Sequence, residues 1–184
     1  MSETIGSSVT LLKTFIEARA GPGAFSAVLD QLDSEEQRIV KKLLPTEWVP
    51  YPLFFDVLRA GAKTMGCELS KFCEEYGAFE VEHDIPIIYK AALKFGGPGL
   101  MVMEADQLWK RYHNSGHLKI FNILKNSGKA RIEGHEGGGP LLCATVLGFI
   151  KQGLKLSGAE DLVVEQILCR YQGDDFCEFV AHWS

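Results

Sequence analysis

No cluster of lysine and arginine occurs in this sequence, and that absence is the first constraint. Nucleic-acid binding normally needs a basic stripe, whereas here 19 Lys and Arg are outnumbered by 24 Asp and Glu, for a net charge of -5. No apolar run approaches the ~20 residues that cross a bilayer. The start, MSETIGSS, has neither the basic segment nor the apolar stretch of a signal peptide, so a cytoplasmic protein is expected. There is no HExxH string, no nucleophile elbow and no dinucleotide fingerprint. The glycine-rich GHEGGGP (134–140) lacks the Lys-Ser/Thr of a phosphate loop and reads as a connection. These absences favour a protein that is not an enzyme. Cysteine is scarce and odd in number: Cys67, Cys73, Cys143, Cys169 and Cys177 make five. An odd count fits poorly with a closed disulfide framework, and a cytoplasmic compartment keeps thiols reduced.

What remains is enough for one domain. The 184 residues are 46% hydrophobic and 23% charged, a globular balance. The first part, 1–100, reads as helical. Val9, Leu12, Phe15 and Ile16 repeat at the spacing of one helix face, with Ser7 or Ser8 as cap. A short helix follows over Ala24–Leu32. Ser34, with Gln37 three residues on, predicts a capped third helix ending near Leu44. TEWVPYPLFF is a turn into a fourth, with Pro52 in its first turn. Ser70 caps a long helix toward Phe95, kinked at Pro86. Gly96-Gly97-Pro98-Gly99 is the strongest break, read as a hinge within one domain.

From residue 101 to 184 the pattern changes. A helix over Met101–Tyr112 precedes two strand-like runs, LKIFNILKN and KARIEGH, with hairpin chemistry at Asn126-Ser127-Gly128. A helix follows Pro140 and runs through Leu156. LVVEQILCRY and DFCEFVAHW close the chain about the turn Gln172-Gly173-Asp174. The expectation is an α/β (α+β) fold, with N-terminal helices packed on a four-stranded antiparallel sheet in ββαββ order. If the last turn centres on Gly173, Cys169 faces Cys177, Ile167 faces Phe179, Glu165 faces Ala181 and Val163 faces Trp183, with that face inward. The preceding helix carries Cys143, Leu147, Ile150 and Leu154 on one stripe. Cys143, Cys169 and Cys177 then converge. Convergent thiolates suit zinc, although buried cysteines also simply fill space.

The string LCRYQGDDFCEF (168–179) resembles the C-terminal signature of 4-vinyl-reductase-like small-molecule-binding domains: a Cys, a Gly-Asp turn, a second Cys, then Glu-Phe. CATVLGFIKQGL (143–154) is similar to the helix preceding that signature, and the likeness runs from Met101 to Trp183. EWVPYPLFF and ADQLWKRYH look like an uncharacterised bacterial branch of the superfamily. The resemblance implies an α/β fold related to TRAPP vesicle-tethering subunits and to haem-nitric-oxide-binding domains. It implies a zinc ion on Cys143, Cys169 and Cys177. The glutamate that completes such sites is replaced here by Gln166.

It also implies an apolar ligand pocket, for which Trp48, Tyr51, Phe54, Phe55, Trp109, Tyr112 and Phe121 are candidate lining, the last five foremost. Haem is not expected. The Tyr-x-Ser-x-Arg string that grips haem propionates in the haem-binding relatives is absent, and His83, between Glu82 and Asp84, reads as a surface histidine. His113 and His117 have metal-binding spacing, but Asn114-Ser115-Gly116 between them reads as a turn. The function expected is a non-catalytic module that binds a small apolar molecule and signals to a partner protein or a second copy. A scaffold without a pocket and an enzyme on tetrapyrrole-like substrates are the alternatives.

Overall fold

The computed structural model describes residues 2–84 and 98–184, with 98–104 as backbone only. A three-residue strand β1 (Glu3–Ile5) leads directly into α1 (Gly6–Ala20), and α2 (Phe25–Leu29) and α3 (Ser34–Lys42) follow. Ile5, not a serine, precedes α1, and no side chain caps it. The cap of α3 is Asp33, one residue before the expected Ser34. Its carboxylate accepts the Glu35 and Glu36 amides while Glu36 returns a bond to the Asp33 amide, a reciprocal capping box. β2 (Trp48–Pro50) pairs antiparallel with β1, so the segment read as a plain turn is half of a two-stranded sheet.

Helix α4 (Tyr51–Met65) begins with Pro52 in its first turn and stops at Gly66, which takes the left-handed conformation at φ 63°. Helix α5 (Leu69–Asp84) is capped by the Glu68 carboxylate, which accepts the Ser70 and Lys71 amides at 2.9 and 2.7 Å; Ser70 is not the cap. Pro86, the run to Phe95 and the pair Gly96-Gly97 lie outside the described residues. Helix α6 (Pro98–Tyr112) starts at Pro98, so the second half of the expected hinge is already helical.

The C-terminal part has the expected ββαββ order: β3 (His117–Leu124), β4 (Ser127–Glu133), α7 (Pro140–Leu156), β5 (Val163–Leu168) and β6 (Cys177–His182). The sheet is antiparallel throughout, in the order β3-β4-β6-β5. The register of β5 against β6 differs from the expected one. Val163 faces His182, Glu165 faces Val180 and Gln166 faces Phe179, with a bulge before Leu168. A one-residue slip exchanges the two faces of a strand. Hence Val163 and Ile167, expected inside, are 52% and 44% exposed, and Val164 is buried instead. The bulge and the single 3-10 turn Arg170–Gln172 take up the extra residue, and Cys169 still returns to the interior.

Helices α5 and α7 pack at van der Waals contact of their backbones. A methyl on Gly77 would lie 1.9 Å from the Thr145 carbonyl oxygen, and one on Gly148 would lie 1.8 Å from that of Glu74. Glycine at both positions is what permits the approach. The N-terminal strand ties the other side. Thr4 bridges to His113, and the Glu3 amide donates to Asn114 Oδ1 at 2.8 Å, fixing the end of α6. No helix among the described residues is long and apolar enough to cross a membrane.

Candidate functional site

Between α5, α6, α7 and the inner face of the sheet lies a cavity of about 100 Å³. Its walls are largely apolar, with Phe54, Trp109, Tyr112, Phe149, Phe179 and Trp183 among them. Of the aromatics singled out in the sequence, Phe54, Trp109 and Tyr112 stand on this wall. Phe55 is buried behind it, stacked on Tyr51 at 5.3 Å between ring centroids. Phe121 lies beneath the Arg131 guanidinium at 4.7 Å, on a surface groove with His117 and Glu133. Trp48 is 43% exposed in β2.

One end of the cavity is polar. Thr4, Ser8, Glu80 and Tyr112 line it together. Glu80 is only 7% exposed. Its Oε1 accepts the Ser8 hydroxyl at 2.6 Å and the Tyr76 hydroxyl at 3.4 Å. Burial pushes its carboxyl up to about 7, against the lowering pull of those two hydrogen bonds and with Asp84 adding to the rise. The Tyr76 hydroxyl donates chiefly to the Ser8 carbonyl. The buried Tyr112 hydroxyl, toward the Asp84 side chain, makes no well-formed hydrogen bond among the described residues.

The sequence reading passed over Glu80. The signal was present: Phe72, Tyr76 and Glu80 recur at four-residue intervals, which places an acid on the buried stripe of a helix.

A second polar feature is an imidazole pair. His113 lies on the cavity wall, and its Nδ1 hydrogen-bonds the Tyr51 hydroxyl. Burial, with His135 beside it, holds its pKa well below the usual histidine value, so the ring is neutral. His135, 3% exposed, has its Nδ1 at 3.0 Å from the Ser115 carbonyl and an Nε2 with no partner among the described residues. Burial lowers its pKa too. The two rings sit 5.8 Å apart. The expected turn at Asn114-Ser115-Gly116 holds, and His117 goes to Asp106 on the surface.

The thiols of Cys143, Cys169 and Cys177 come together below this layer. All three are buried, and their sulfurs lie within 4.8 Å of one another. Cys143 Sγ donates to Cys177 Sγ at 3.4 Å. That bond, with the Arg170 amide beside it, pulls the Cys177 thiol below its ordinary value and, together with burial, drives Cys143 above it. Gln166, in place of the family glutamate, donates from Nε2 to the Leu168 carbonyl at 3.0 Å.

No family model matches the sequence, and no curated protein matches it. Solved structures do. An H-NOX protein from S. oneidensis in the Fe(II)NO ligation state shares 14% identity, with a TM-score of 0.76 over 98% of this chain and 99% of that one. The fold is that of the H-NOX domains. An Fe(II) unliganded H-NOX protein from K. algicida matches at 13% identity and a TM-score of 0.72, over 98% of this chain and 96% of that one. A structure solved to probe haem distortion in the H-NOX family matches at 15% identity and 0.72, over 97% and 94%.

These neighbours correct two expectations. The assignment to the 4-vinyl-reductase-like superfamily is not supported. Of the relationships it implied, only the one to haem-nitric-oxide-binding domains survives. The expectation against haem also falls, because the H-NOX fold spanning nearly all of this chain is one built around haem in its solved members. A missing propionate-binding string was too narrow a criterion for a whole fold. Nothing in the comparison supports the zinc implied by the same resemblance. The chain's own donor chemistry meets the axial requirement of a haem iron: a cavity-lining neutral imidazole, oriented through its other nitrogen by a phenol.

Proposed function

We propose that this chain is a non-catalytic sensory module that takes its signal as a small apolar molecule in the cavity and relays it to a partner protein or a second copy. The observation that carries this is the cavity itself. A domain whose pocket had collapsed onto its side chains, acting as a scaffold, would not keep an apolar void bounded by buried aromatics and open to a polar end. A void of this size matches molecules near benzene in volume.

Haem is the second candidate occupant, favoured by His113 and by the fold, although it would need a far wider cavity than the benzene-sized one present. It would supply an iron that binds a diatomic gas. His113 is the residue that would hold it, with Tyr51 fixing the ring and Trp109 packed beside it at 3.9 Å between ring centroids. Lys129 and Arg131, the cations of β4, are engaged by Glu178.

The test is the visible spectrum and native mass spectrum of the purified protein, followed by calorimetric titration with toluene. Toluene binding supports the apolar-ligand reading. A haem absorbance band lost in His113→Ala supports the second. A folded protein that binds neither is the scaffold, and overturns both.

The thiol cluster is a separate proposal. Cys143, Cys169 and Cys177 form a ligand set for a soft metal ion such as copper(I), for which three thiolates without a carboxylate suffice. Titration of the reduced protein with copper(I) would then raise an ultraviolet sulfur-to-metal band. The proposal fails if Cys177→Ser leaves that band unchanged.

A further inference from the structure

The apolar wall explains affinity for a hydrophobic body but gives no reason for the polar end. Both hydrogen bonds reaching Glu80 among the described residues fall on Oε1, so Oε2 has no partner there. The Tyr112 hydroxyl, on a residue 4% exposed, lines the same cavity; it lies toward the Asp84 side chain but makes no well-formed hydrogen bond among the described residues. Unmade hydrogen bonds at buried groups are costly, and such groups are normally satisfied by a ligand or an ordered water.

The charges around this end are one-sided. Glu80 and Asp84 stand one helical turn apart on α5, and Tyr112 approaches from α6. From α1, Ser7 donates to Asp84 at 3.2 Å and Ser8 to Glu80 at 2.6 Å, so both neighbours there are uncharged. Arg111 is 4.0 Å from Asp84, outside on the exposed side. Among the described residues the two basic side chains on the cavity wall do not compensate. Lys129 Nζ is bound to Glu178 at 2.9 Å, and His113 is neutral. A buried carboxyl without a cation is completed by a ligand that brings one.

We propose that Glu80, Tyr112, Ser8 and Thr4 form an anchor for a protonated amine carried on an apolar body. This rests on the apolar-ligand reading and adds the chemical class of the ligand. The Glu80 carboxylate takes the charge through Oε2. The Tyr112 hydroxyl accepts a second ammonium hydrogen, and the aromatic wall covers the body. A ring of benzene size with a one-carbon arm matches the void.

Calorimetric titration of the whole protein with benzylamine, toluene and benzyl alcohol tests this. Benzylamine is expected to bind at least about tenfold more tightly than toluene, as befits a hydrogen bond to a charged group. In Glu80→Gln the preference falls to near unity while toluene affinity holds. Tyr112→Phe reduces the preference by a smaller factor, and provides a second reading should the Gln variant not fold by circular dichroism. Equal binding of benzylamine and toluene overturns the anchor and leaves the apolar site standing. Equal binding of benzylamine and benzyl alcohol overturns the charge recognition. Failure of all three probes to bind folded protein removes the underlying reading itself.

Discussion

Among the described residues the interior around Glu80 supplies hydroxyls and no cation, and burial holds its carboxyl above the usual carboxylate value. The consequence for stability has a definite sign. The unfolded chain releases the Glu80 proton near 4.5 and the folded chain near 7, so between those values the folded state binds more protons. Stability therefore falls as pH rises through that window, by at most about 3 kcal/mol for this group, and the loss is complete above it. Glu80→Gln, which keeps the acceptor for Ser8, is expected to match the parent at pH 5 and to exceed it in urea midpoint at pH 8. A constant difference at both values would mean that Glu80 is not the titrating group.

Glu178 is the opposite case. It is 2% exposed, with Lys129 Nζ at 2.9 Å and Arg131 at 2.6 Å. Burial raises its pKa, but the hydrogen bonds and charges of those two cations outweigh it and leave it below the usual carboxylate value. Its contribution is present above pH 4.5 and disappears as pH falls through the folded value. Glu178→Gln is expected to cost about 2–3 kcal/mol at pH 7, and less in acid, in chemical denaturation. The sequence offers the place of Glu80 on a buried helical stripe, but not the partners of either glutamate. Both glutamates sit among apolar neighbours, but which one meets cations depends on the strand pairing of β4 with β6.

At the scale of elements, the close crossing of α5 and α7 makes the sharpest prediction. Gly148→Ala forces a methyl to within 1.8 Å of the Glu74 carbonyl oxygen, and backbone cannot rotate aside as a side chain can. The substitution is expected to cost about 3 kcal/mol, despite the gain in helix propensity, read as a lower urea midpoint. The elements themselves were largely legible. Hairpins and the intervening helix follow from glycine turns and from periodicity that changes between 3.6 and 2. The caps were missed by one or two residues because Asp33 and Ser34, or Glu68 and Ser70, compete for the same role and tertiary packing decides. The β5 register was missed because a bulge leaves no mark in alternation. The three-residue strands β1 and β2 are too short to show any period.

For the whole molecule, hydrophobic pattern carried the layer arrangement, yet it did not separate one helix-on-sheet superfamily from another. Residues matching a short motif, Cys143, Cys169 and Cys177, come together as the topology requires, while the fold as a whole sides with H-NOX proteins at 14% identity. The cavity escaped the sequence for the same reason. Phe54, Trp109 and Tyr112 reach it from α4 and α6, and only the tertiary arrangement distinguishes them from Phe55 and Phe121, of equal hydrophobicity.

The glycine crossing also decides where the molecule can give. With α5 and α7 touching main chain to main chain at Gly77 and Gly148, the pair has little room to separate or slide. Any swelling forced by an occupant must be absorbed opposite them, along α6. That helix is latched at its C-terminal end by the N-terminal strand, Thr4 on His113 and Glu3 on Asn114. The amino-terminal strand thus becomes the place where a filled interior would register on the outside.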